Sequence, residues 1–183
     1  MKRLIALLLC IGMFAAVAVG CAQQQQEVAT GDEAKSQNMA DYEDTFTGLC
    51  NYLSAWGYIN PLEDNKGLTF TVMKSDIIGA KQGRRFTLKH TENKTATAEI
   101  YEYDIEGLKA SPDEAATTVL DSVKKNGTFT NLIGEEVKNV YMSDNGKYML
   151  IYNDDSIKDD TKEDDKNYVA RTEMVEKFKK FHA

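Results

Sequence analysis

Few residues in this chain have the chemistry for catalysis. It holds 183 residues, with three cysteines (Cys10, Cys21 and Cys50) and two histidines (His90 and His182). A thiol–imidazole dyad of Cys50 with His90 needs only that the two meet in space. Cys50 lies beside an apolar stripe, however, where desolvation raises a thiol pKa, so it reads first as a small apolar filler. No H-E-x-x-H, C-x-x-C, G-x-S-x-G, P-loop or G-x-G-x-x-G spacing occurs, and no cofactor or metal is implied. Acids are too numerous to select a glycosidase pair from. The acid-rich run from Asp154 to Asp165 lacks the glycine and alternation of an EF-hand loop and reads as solvated, with weak cation binding as the alternative. Trp56 with Tyr58 has the makings of a sugar platform, but Trp56 is in phase with a helical stripe and reads as core.

The interaction candidate is one face of an expected hairpin, carrying Arg85, Lys89, Tyr101 and Tyr103 with Lys81 and Arg84 nearby. Exposed tyrosine beside arginine is the composition of interface cores. The competing reading has a helix roofing this face, with Arg85 stacked on Tyr101.

These residues must be placed by the chain around them, and its first stretch gives an address. Lys2 and Arg3 precede an uncharged apolar run from Leu4 to Val19, closed by Gly20-Cys21. That is the three-part pattern of a secretory signal, too short for a spanning helix of roughly 20 residues. Ala16-Val17-Ala18 would also serve ordinary secretory cleavage. The end, Ala18-Val19-Gly20-Cys21, resembles the lipobox of bacterial lipoproteins. The resemblance covers residues 1–21 and implies removal of residues 1–20, lipid on Cys21 and an extracytoplasmic, membrane-anchored chain. The remainder looks like small clostridial lipoproteins in its anchor and Tyr-rich strands, which implies no activity.

Removal of the leader takes the 22 basic residues to 20 against 29 acidic ones, a net charge of −9. An acidic chain without a basic run repels phosphate backbones, so nucleic acid is not an expected partner. Cys50 is then the one thiol left, and the fold must rest on its core rather than on a disulfide. Residues 21–40, with Gln23 to Gln26 and little to bury, read as lipidated cysteine and tether; residues 41–183 read as one domain.

Along that domain, Tyr42, Phe46, Leu49, Leu53 and Trp56 keep helical spacing, ended by Gly57. Residues 68–80 satisfy both periods; Gly79 as a stop favours a short helix over a strand. Residues 84–90 and 95–104 alternate as a hairpin, and matching apolar positions pairs Phe86 with Ile100, even shifts remaining open. Ser111-Pro112-Asp113-Glu114 reads as a capping box for a helix with Ala116, Val119, Leu120 and Val123 inward. A strand at 128–133 precedes strands at 137–142 and 147–152, which join across Asn145-Gly146 in a type I′ turn. Tyr148 to Tyr152 lacks polar alternation and belongs inside a sheet. The last helix, 168–181, buries Met174, Val175, Phe178 and Phe181. The expected fold class is α+β: four or five mostly antiparallel strands with helices against one face. Two functions stay open. One is a non-catalytic, lipid-anchored binding module for an envelope protein or glycan; the other is a cell-envelope hydrolase with dispersed site residues.

Overall fold

The computed structural model describes residues 37–91 and 93–183. The leader, Cys21 and most of the tether lie outside the described residues. Two residues expected in the tether meet the domain: Met39 lies against the core, and Gln37 accepts a hydrogen bond from the Tyr42 hydroxyl.

The fold is α+β. Its order is α1 (Phe46–Ala55), β1 (Glu63–Asp64), β2 (Gly67–Leu68), β3 (Phe70–Val72), β4 (Gln82–Thr87), β5 (Thr97–Glu102), α2 (Ile105–Ala110), α3 (Glu114–Asn126), β6 (Phe129–Thr130), β7 (Glu136–Val137), β8 (Val140–Met142), β9 (Tyr148–Asn153) and α4 (Lys166–Lys180). Five strands form one antiparallel sheet in the order β3-β4-β5-β9-β8, while β1-β2 and β6-β7 are separate ribbons. β9 sits between β5 and β8 with five consecutive buried residues.

Such a strand needs cover on both sides, and helices stand on both faces rather than the one expected. On the first face Phe86, Leu88, Ala98, Ile100, Tyr148, Leu150 and Tyr152 pack against α1 and α4, which supply Leu49, Leu53, Met174 and Phe178. On the second, Tyr101, Tyr103, Val140, Met149 and Ile151 pack under Ala116, Val119 and Val123 of α3. Truncating a fully buried phenylalanine such as Phe178 removes contacts worth about 3–5 kcal/mol.

Several boundaries move for physical reasons. α1 starts at Phe46 because the Thr45 hydroxyl caps it, accepting from Gly48 N at 3.0 Å. Residues 68–80 split: Phe70–Val72 is the strand, and a 3₁₀ turn over Ser75–Ile78 is stopped by Gly79 at φ 64°. α3 is capped by Asp113, which accepts from Ala116 N at 2.8 Å, and so begins after Pro112; Ser111 instead ends α2, which the sequence reading missed. The 128–133 stretch narrows to β6. Asn139, at φ 53°, divides the expected 137–142 strand into β7 and β8.

The β4–β5 register is shifted by two residues: Phe86 faces Ala98, Arg84 faces Ile100 and Arg85 faces Glu99. Volume selects this among the even shifts. Leu88 N donates to Ala96 O at 2.9 Å, so the large Leu88 and Phe86 lie across from alanines beneath α1. The β8–β9 turn is not type I′ either. Gly146 is left-handed at φ 73°, Asn145 is not, and Gly146 N donates to Ser143 O at 2.8 Å.

Two left-handed glycines separate conformational strain from close approach. Gly79 and Gly127 share φ near 64–70°, but a Cβ on Gly79 would overlap the Ala116 backbone, whereas one on Gly127 meets open space. Gly127→Ala should cost about 1–2 kcal/mol of unfolding free energy. Gly79→Ala should cost roughly 3 kcal/mol or more, because a clash adds to the strain. Denaturant melts of the two variants check this; equal losses would mean that the contact between the 3₁₀ turn and α3 yields freely.

Candidate functional site

The residues singled out for chemistry become structure. Arg85 and Glu99 sit opposite on β4 and β5 and form an ion pair with an N–O distance of 2.5 Å. The Tyr101 hydroxyl donates to the other Glu99 oxygen at 2.7 Å. Glu99 is thereby buried with its charge balanced, and Tyr101 and Tyr103 are only 5% and 2% exposed. Burial under α3 drives both phenol pKa values upward, with the Glu99 carboxylate adding to the rise for Tyr101. Lys89 is half-buried, its backbone N–H donating to Tyr58 O at 3.0 Å. Arg85, Lys89, Tyr101 and Tyr103 therefore form no shared exposed patch. Arg85 stays half in solvent, while the tyrosines belong to the core.

Cys50 is fully buried, and its thiol is pushed up to about 12 by that burial, with Arg84 pulling weakly the other way. Arg84 itself is held between the rings of Phe46 and Phe70, at 4.9 and 4.6 Å from their centroids. His90 is 4% exposed and bonds Tyr152 Oη through Nε2 at 2.7 Å. Burial lowers its pKa to about 4, against smaller opposing effects of the Tyr58 backbone and Asp154. A thiol held protonated and an imidazole held neutral, each with its own neighbour, make a poor nucleophile–base pair. Trp56 packs against the first core with Lys177 Nζ 4.2 Å above its ring, and Tyr58 is buried. In the acid-rich loop Asp154 turns inward, accepting from Asn93 Nδ2 and from Ser156, while its acidic neighbours stay exposed. Among the described residues no cluster of three metal-ligating side chains occurs.

The site that emerges lies instead off β8, one edge of the sheet. Tyr152 N donates to Asn139 O at 3.0 Å, and Ser143 N donates to Tyr148 O at 2.9 Å. Main-chain direction alternates along a strand, so Asn139, Tyr141 and Ser143 face β9, and Val140 and Met142 turn their N–H and C=O groups outward. No described group bonds those outward atoms. Just beyond, Asp144 N donates to Lys179 O at 2.8 Å, so the end of α4 closes that end of the edge.

A groove of about 920 Å³ opens here, lined by the length of β8, by Leu120, Lys124 and Gly127 on the α3 side, and by Lys179 of α4. Because α3 and α4 stand on opposite faces, a space touching both and β8 between them lies off the edge of the sheet. Its size falls within the usual range for ligand pockets. The Asn139 kink and the closed turn at Ser143–Gly146 position the edge. Asn145 pins that turn by donating to the carbonyls of Phe181 and His182, each at 3.2 Å. Sequence reasoning placed 137–142 in the sheet but had no signal for its edge, since that depends on which strand pairs where. The chain matches no family model, no curated protein and no solved structure.

Two outcomes follow. Native Cys50 should resist alkylation near neutral pH and react only on unfolding; rapid native labelling, read by mass spectrometry, would contradict the buried thiol. For His90, a folded pKa of about 4 against 6.5 unfolded means the unfolded chain binds more protons between those values. Its contribution is complete above pH 6.5 and is lost as pH falls toward 4, about 3 kcal/mol in all. His90→Gln, which keeps a polar partner for Tyr152 without titrating, should flatten stability against pH in that window.

Proposed function

We propose that this chain is a lipid-anchored, extracytoplasmic binding module, without catalysis of its own, whose ligand docks in the groove off β8. The observation that carries the reading is that groove: an open recess along a sheet edge with unbonded main-chain groups. The thiol and imidazole support the non-catalytic part, since both are buried in states unsuited to nucleophilic attack. The anchor rests on the cysteine-terminated leader. Lipid on Cys21 would hold the domain at a membrane outside the cytoplasm, where an envelope protein or glycan is the available partner.

The two halves are tested separately. Cys21→Ala should move the chain from the membrane to the soluble fraction, and no fatty acid should be incorporated; a variant that stays on membranes would defeat the anchor. For the groove, Leu120→p-benzoylphenylalanine should give a photo-crosslinked adduct in cells, whereas the same replacement at exposed Thr118 should not. Equal or absent adducts at both positions would defeat the binding site.

A further inference from the structure

The groove's own chemistry specifies its occupant. An edge strand offers its neighbour alternating N–H and C=O groups at a fixed spacing, and only another extended main chain matches both. Val140 and Met142 supply such groups, and both residues line the groove. The rim carries both signs, Lys124 and Lys179 against Asp121 and Asp144, which gives no preference for a charged polymer. Leu120 and Val123 line the α3 wall, and there one aliphatic side chain of an added strand would settle.

Access decides between a peptide and a second copy. The edge is recessed between α3 and the end of α4 and stopped by the Asp144–Lys179 bond, so only about three residues are open. A bare strand brings only its main chain to that short run, whereas a second copy's edge would arrive flanked by its own α3 and α4 residues. The position of the domain narrows the source further. Met39 Sδ is 3.0 Å from His182 N, and Asn145, which lines the groove, bonds the His182 carbonyl, so the described chain starts beside the groove's closed end. Fifteen residues, Ala22 to Ser36, separate that start from Cys21. Even fully extended they reach roughly 55 Å.

We propose that the groove takes an extended polypeptide segment, held near the same membrane, as a sixth strand hydrogen-bonded to the outward main chain of Val140 and Met142. This rests on the binding reading above and specifies its ligand and mode.

The test uses the full chain bearing Cys21→Ala and, as probe, twelve-residue peptides selected on it from a random display library. Bound peptide should slow hydrogen exchange at the Val140 and Met142 amides tenfold or more. N-methylating the peptide at alternate residues should weaken binding at least tenfold at one parity and less than threefold at the other. Met142→Pro removes an outward N–H that β9 does not use, and should weaken binding to a similar degree. Should that variant fail to fold, the N-methyl scan on the unaltered chain decides. A library yielding no binder, N-methyl effects without parity, or a concentration-dependent dimer through this edge would each overturn strand addition. If groove crosslinks at Leu120 persist in those cases, the binding reading survives and only the mode falls; if they are absent too, both fall.

Discussion

One strand imposes the architecture. Tyr148 to Tyr152 in β9 is buried at every position, and a pleated strand sends successive side chains to opposite faces. Neither face of the sheet can then be left to water, and one layer of helices cannot serve both. α1 and α4 close one side and α3 the other, so the three-layer arrangement follows from five residues. The cost appears at the ends of the sheet. The helices cover its faces, and β8 keeps an edge whose hydrogen bonding is unfinished.

The polar groups inside these layers are stabilised in different ways. Glu99 is matched by a guanidinium and a phenol; Arg84 is flanked by aromatic rings; His90 stays uncharged beside Tyr152. Pairing and packing of this kind are how a buried polar group becomes part of a scaffold rather than a reagent. The residues most suggestive of chemistry therefore do their work inside the fold. Unbonded main-chain capacity is found along the β8 edge.

How legible this was depended on whether the deciding contact was local. The inward stripe of α3, the run in β9 and the apolar positions of α4 are periodicities, and periodicity reports burial directly. Parity in the β4–β5 hairpin was also legible, whereas absolute register was not: Phe86 opposite Ile100 and Phe86 opposite Ala98 alternate equally well. Packing volume under α1 chose between them. The six-residue α2, capped by Asp104, is too short to declare a period. Tyr101 beside Arg85 has interface composition in sequence and core environment in space, because α3 arrives from elsewhere in the chain. The same non-locality hid the groove, since no residue in Val140–Met142 signals that nothing pairs on its far side.

The clasp between Met39, Tyr42 and His182 has a mechanical consequence. Met39, Tyr42, His182 and the Asn145 turn meet at one pole, with His182 Nε2 2.7 Å from Tyr42 O. A pull on the amino-terminal side thus enters the domain where the carboxyl-terminal residues grip it. Load would pass first through these few polar links and then into α1, loaded at its capped start, before reaching any strand. The sheet's long central ladder, β4-β5-β9, lies behind that clasp. Tension on the amino-terminal side of the domain would strain the clasp and the Asn145 turn beside the β8 edge before it reached that ladder.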